Sequence, residues 1–160
     1  MSAWRYCVPT SIHFGAGFFE RSGELVRWVG TRPLVVTGRN STRKTGTLER
    51  LLEQLPAAIV FDEVEENPGT LVCERGAALC RQHQCDVIVA LGGGSPMDAA
   101  KAIAVLATND GTCADFLGAE KYRTAPLPIV AIPTTSGTGS EVTPYAVLTQ
   151  ESDNSKRTIS

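Results

Sequence analysis

The chain is poor in the residues that mark several functional classes. It has only two histidines, His13 and His83, far apart in the sequence. One falls in an extended segment and the other in a helical one, so together they make no metal-binding pair. Five cysteines occur, Cys7, Cys73, Cys80, Cys85 and Cys113. The count is odd and no two stand in C-x-x-C spacing, which argues against a disulfide framework or a zinc module. They read as small buried apolar residues in a reducing compartment. Basic charge is not in excess: 15 Lys and Arg face 17 Asp and Glu, for a net charge of -2. A nucleic-acid partner would usually show as a basic patch, and none is expected. Long hydrophobic runs are missing too. "VIVAL", Val87 to Leu91, falls far short of the ~20 residues that span a membrane. The opening "MSAWRYCVPT" lacks the basic and apolar regions of a signal peptide, so a cytoplasmic protein without membrane contact is expected.

Standard nucleotide fingerprints fail as well. G-x-G-x-x-G would need a third glycine where Met97 stands in "GGGSPM", and where Val142 stands in "GTGSEV". No G-K-[ST] phosphate loop occurs.

What is present is a soluble globular composition over 160 residues, 42% apolar and 20% charged. "RYCVPTSIHFGAG" alternates in character and predicts one or two short strands. "FFERSGELVRWVG" has helical spacing, and "PLVVTG" is an apolar strand. "TGTLERLLEQL" puts Leu48, Leu51, Leu52 and Leu55 on one helix face. "AAIVFDEV" is a strand, "ENPG" a turn, and "TLVCERGAALCRQHQ" a helix weakened by Gly76. "CDVIVALGGG" is a buried strand, "SPMDAAKAIAVLAT" a helix, "LPIVAIPTT" a fourth strand and "TPYAVLTQ" a fifth. The closing "TQESDNSKRTIS" reads as a polar linker. Apolar strands alternating with amphipathic helices predict an α/β fold, a parallel sheet with helices on both faces. No internal repeat appears.

In such a sheet, ligands bind at the carboxyl ends of the strands. Gly92, Gly93 and Gly94 lie at one such end. Glycine lets the backbone approach a phosphate, and the helix that follows offers free N–H groups and a positive dipole end. Ser95 is a candidate N-cap, with Pro96 at the first helical position and Asp98 completing a capping-box-like pair. A second loop, "PTTSGTGSEVT", follows the next strand and belongs on the same rim. Its hydroxyls, Thr134, Thr135, Ser136, Thr138, Ser140 and Thr143, suit pyrophosphate and ribose oxygens. Either loop could instead be a turn that satisfies only its own backbone.

"DVIVALGGGSPMDAAKAIAV" followed by "PIVAIPTTSGTGSEVTPYAVLT", with "VEENPG" and "IHFGAG", resembles the iron-containing (group III) alcohol dehydrogenases. The resemblance implies a Rossmann-like N-terminal domain and a separate all-helical metal domain. That second domain is expected to lie beyond residue 160, with residues 150–160 starting the connection. The resemblance also implies hydride transfer between NAD(P)(H) and a primary or secondary alcohol or aldehyde. Fe²⁺ or Zn²⁺ would polarise the substrate oxygen, held by one Asp and three His outside this chain. By position, Gly93, Gly94, Ser95 and Asp98 become the pyrophosphate loop and Asn67 a contact on the adenosine side. Thr134, Thr135 and Thr138 would serve ribose and pyrophosphate. Thr143, Val147 and Lys156 would stand near the nicotinamide half, although Lys156 also reads as a solvated tail charge. No catalytic residue or metal ligand is assigned within the chain.

Many relatives of this kind carry an acid at the end of the first strand, where it bonds the ribose 2′-hydroxyl of NAD. Here Gly38 takes that place, followed by Arg39, Asn40, Ser41, Thr42, Arg43 and Lys44. Gly38, Asn40 and Ser41 are therefore expected at the 2′-position, with NADP favoured over NAD. A homo-oligomer is expected of the intact protein. The chain alone is expected to be inactive and to self-associate through uncovered apolar surface. Two other readings stay open: a non-catalytic NADP(H)-binding module, and a relative of dehydroquinate synthase or glycerol dehydrogenase.

Overall fold

The computed structural model describes residues 8–160. A short 3-10 turn, Phe18–Arg21, leads into α1 (Ser22–Val29). Then follow β1 (Pro33–Gly38), α2 (Ser41–Lys44), α3 (Thr47–Gln54), β2 (Ile59–Val64), α4 (Thr70–Gln82) and β3 (Val87–Gly92). α5 (Gly94–Thr108), α6 (Cys113–Phe116), β4 (Ile129–Pro133), β5 (Ala146–Gln150) and β6 (Ser155–Ile159) complete the chain. The expected N-terminal strands do not form within the described part. Residues 8–14 take no regular structure, and Arg5–Cys7 lie outside the described residues.

Four strands make one parallel sheet in the order β2-β1-β3-β4. β1 and β3 are central, which is why "PLVV" and "VIVAL" are unbroken apolar runs: both faces are covered. Successive side chains point to opposite faces. Leu34, Val36, Ile88 and Ala90 join one core with α4 and α5, through residues such as Ala77 and Ile103. Val35, Val87, Val89 and Leu91 join the other with Val26 of α1 and Leu48 and Leu51 of α3. Each fully buried aliphatic side chain contributes roughly 1.5–3 kcal/mol. Gly76 lets α4 lie close to α5, since a Cβ there would overlap Ile103.

"TPYAVLTQ" does contain a strand, but not a fifth member of the parallel sheet. β5 pairs antiparallel with β6 as a separate two-stranded sheet. The polar tail is thus a hairpin rather than a linker. Ala146, Leu148 and Ile159 are buried in the α4/α5 core. The residues at its turn, 151–154, include Asn154 at φ 52. Among the described residues no helix is long and apolar enough to cross a membrane.

Candidate functional site

The chain leaves β1 for β2 at one side and then crosses back to β3 on the other. The point between β1 and β3 is where ligands settle in open parallel sheets. A cleft of about 520 Å³ opens there. Gly38, Arg39, Asn40 and Ser41 line it from β1, Val64, Glu65 and Glu66 from β2, and Gly93, Ser95 and Pro96 from β3. Five residues singled out in the sequence, Gly38, Asn40, Ser41, Gly93 and Ser95, thus line one cavity.

The glycine turn is held in an unusual shape. Gly92 sits at φ 141, a region that strains any L side chain. Gly93 is the N-cap of α5, and the helix starts at Gly94. This corrects the capping scheme read from the sequence. Ser95 lies inside the first turn, and neither Pro96 nor Asp98 takes its expected capping position. No side chain caps this end. The N–H groups of the first turn have no partner within the helix and face the rim.

The Thr-rich loop packs directly on this turn. Thr134 N donates to Gly92 O at 2.8 Å. A Cβ on Gly93 would come within 3.1 Å of Thr135 Oγ1, and one on Gly94 within 3.4 Å of Thr138 Cγ2. The two loops form a single cradle with little room for a side chain at Gly93, and a phosphate is the group such a cradle suits. Thr138 Oγ1 donates to Glu141 Oε2 at 3.3 Å, which orients that hydroxyl.

Asp98 turns away from the cleft. Its Oδ1 accepts from Ser140 Oγ at 2.6 Å and lies 3.5 Å from Lys101 Nζ. Lys101, which drew no attention in the sequence, is the centre of this cluster. Its Nζ donates to Ser140 Oγ and to Tyr145 O, each at 2.7 Å, and lies 3.5 Å from Thr143 Oγ1. Burial pushes the Lys101 pKa down, against the opposing pull of Asp98. Asp98 and Thr143 therefore meet through a lysine that ties α5 to the Thr-rich loop. The visible signal was a charge inside "AAKAIAVLA", three residues after an acid.

Asn67 and Lys156 also meet. Asn67, at φ 56, donates its N–H toward Ser95 Oγ at 3.3 Å. Its Oδ1 accepts from Lys156 Nζ at 2.7 Å, and Lys156 also donates to Thr149 Oγ1 at 3.1 Å. Lys156 is no free tail charge: it bridges β6 to the loop before α4. Val147 stands on β5 opposite Thr158, exposed, with no polar link to the cradle. Among the described residues no three His, Cys, Asp or Glu side chains gather as a metal site. His13 is exposed beside Phe18, and His83 follows the end of α4. Cys73, Cys80, Cys85 and Cys113 are buried free thiols; Cys7 lies outside the described residues.

A family model for iron-containing alcohol dehydrogenases matches residues 9–160. The chain belongs to the iron-containing alcohol dehydrogenase family. It is 38% identical over 153 residues to a choline dehydrogenase of Bacillus subtilis, covering 90% of this chain and 38% of that protein. It is 34% identical over 160 residues to NADH-dependent butanol dehydrogenase A of Clostridium acetobutylicum, with coverages of 98% and 41%. Sulfoacetaldehyde reductase from Bifidobacterium kashiwanohense, solved in complex with NAD+, superposes with a TM-score of 0.88 at 34% identity. That match covers 99% of this chain and 43% of the other. The chain spans about two fifths of the length of these relatives.

Proposed function

We propose that this alcohol dehydrogenase chain is the cofactor-binding part of an oxidoreductase acting on a primary or secondary alcohol or aldehyde. The observation that carries the reading is the cradle at the switch point, where Thr134 N bonds Gly92 O and Thr135 and Thr138 close on Gly93 and Gly94. Its free helix N–H groups and hydroxyls fit the pyrophosphate of a nicotinamide dinucleotide. The adjoining cleft toward Gly38 is the natural seat of the adenosine ribose.

When bound, the nicotinamide supplies a hydride acceptor or donor. The chain's own residues bind and orient. The first turn of α5 offsets pyrophosphate charge with its N–H groups and dipole. Thr134, Thr135 and Thr138 offer hydroxyls to ribose and phosphate oxygens. Lys101 fixes the loop that carries them, and Asn67 with Lys156 fixes the opposite wall. The described residues do not fit an iron or zinc ion, since no ligand cluster gathers among them. Two of the relatives are named for NADH dependence or were solved with NAD+. The loop after Gly38 taken alone points to NADP(H), but the two carboxylates in the cleft weaken that support. The intact protein is proposed to be a homo-oligomer.

Calorimetric titration of the chain with NADH and NADPH tests the reading. Gly94→Val is the matching variant. Gly94 is not at positive φ, so valine adds bulk against Thr138 without backbone strain. Its expected effect is a loss of cofactor affinity of at least about tenfold, roughly 1.4 kcal/mol, with an unchanged circular dichroism spectrum. Equal binding by Gly94→Val and wild type would remove the cradle from the site.

A further inference from the structure

A charge pair stands at the mouth of the cleft, on the ends of β1 and β2. Gly38 and Val64 are register partners, so the residues after them, Arg39 and Glu65, leave the sheet side by side. Arg39 Nη2 lies 3.0 Å from Glu65 Oε1. Both residues line the same cleft as Gly93 and Ser95, and Glu66 lines it beside them. The walls therefore carry one cation, already paired, and two carboxylates. Arg43, the next cation along, is turned elsewhere, 2.6 Å from Asp62 Oδ2 and 3.5 Å from Glu49 Oε1, and does not line the cleft.

We propose that Glu65 selects the cofactor at the ribose 2′-position, favouring a free 2′-hydroxyl over a 2′-phosphate. This rests on the reading of the cleft as the adenosine side of a dinucleotide site. A carboxylate is acceptor-only, and the Glu65 oxygen not facing Arg39 is available to a hydroxyl donor. A 2′-phosphate carries about -1.5 to -2 charge and would meet Glu65 and Glu66. The one cation that could offset it is held by Glu65 itself. Gly38 leaves the end of β1 without an acid, and the neighbouring strand supplies one 27 residues later in the sequence.

The test is titration of the chain with NADH and with NADPH, for wild type, Glu65→Gln, and Arg39→Gln combined with Glu65→Gln. Both positions are more than half exposed, at 56% and 66%, so the fold is not at stake. Wild type is expected to bind NADH more tightly. Glu65→Gln removes one negative charge and frees Arg39, and is expected to shift the affinity ratio toward NADPH by about tenfold. The double variant is expected to keep only part of that gain, because the carboxylate stays removed while the released Arg39 is lost. A wild type that prefers NADPH, or a Glu65→Gln ratio equal to wild type, overturns the role of Glu65 and leaves the cofactor site standing. A folded wild type that binds neither dinucleotide overturns both.

Discussion

Lys101 shows how one residue can hold two loops together. Its side chain is only 14% exposed, and its ammonium faces four acceptors with three protons to give. The strongest bonds go to Ser140 Oγ and Tyr145 O, on either side of Thr143. Lys101→Met keeps the aliphatic stem and removes the charge. It strips Tyr145 O of this donor and leaves Asp98 with Ser140 alone. The expected cost is about 1–3 kcal/mol, read as a lower urea midpoint at unchanged slope. The Thr-rich loop should loosen with it, so NADH affinity should fall as well. Unchanged midpoint and affinity together would mean that the loop keeps its shape unaided. Glycines and threonines of the cradle were legible in the sequence because their chemistry is local. Lys101 and Glu65 were not, because each acts on residues from another strand or loop, and a single chain reading ranks charges by their neighbours in sequence.

Elements buried on both sides were the easiest to read. β1 and β3 are central, and their apolar runs state it directly. The hairpin was misread for the opposite reason. "TQESDNSKRTIS" is polar because one side faces water, and its order comes from contacts distant in sequence. The alternation of Ala146 and Leu148, both buried, with exposed Val147 was the signal of a half-buried strand. Asn154 in the left-handed region, and Asp153 accepting from Ser155 N and Oγ, are turn chemistry rather than linker chemistry. The hairpin also caps a helix. Glu151, at its turn, accepts from Leu71 N at 3.0 Å and from Thr70 Oγ1, at the N-terminal end of α4. Gly69, the N-cap, has no side chain to do this. Burial works against the Glu151 charge, but the bonds from Thr70 and Leu71 outweigh it and hold the carboxyl below its ordinary value. A carboxyl depressed in the folded state stabilises above its unfolded pKa of about 4.3 and stops doing so as pH falls through the lower folded value. Glu151→Ala should therefore lose about 1 kcal/mol at pH 7, the size of an N-cap. The gap to wild type should shrink as pH drops below about 4.3. Urea melts at pH 7 and at acid pH check this. A gap that stays constant with pH would show that Glu151 acts by packing and not by charge.

At the scale of the whole molecule, the alternation of strands and helices was enough to fix the class of fold, since few arrangements bury strands that are apolar on both faces. Strand order was not in the pattern, because it depends on which crossover follows which strand. Among the described residues, the order observed leaves β4 paired with β3 on one edge and with no strand on the other. An unpaired parallel edge offers a row of N–H and C=O groups to another chain. β4 is also the least covered strand: Ile129 is 37% exposed, while the residues of β3 are buried throughout. Phe14, Ile12 and Trp28 add exposed apolar surface elsewhere, at 96%, 68% and 68%. The chain is expected to self-associate, eluting in sizing chromatography ahead of a 17.1 kDa monomer and more so at higher concentration. Ile129→Lys places a charge on the open edge, a common guard against strand pairing, and should move the population toward monomer with little change in stability. If the wild-type chain runs as a single monomer at every concentration, the edge of β4 is not a contact surface. If Ile129→Lys associates as wild type does, the contact lies at the apolar residues away from the sheet, and Phe14 and Trp28 become the positions to charge next.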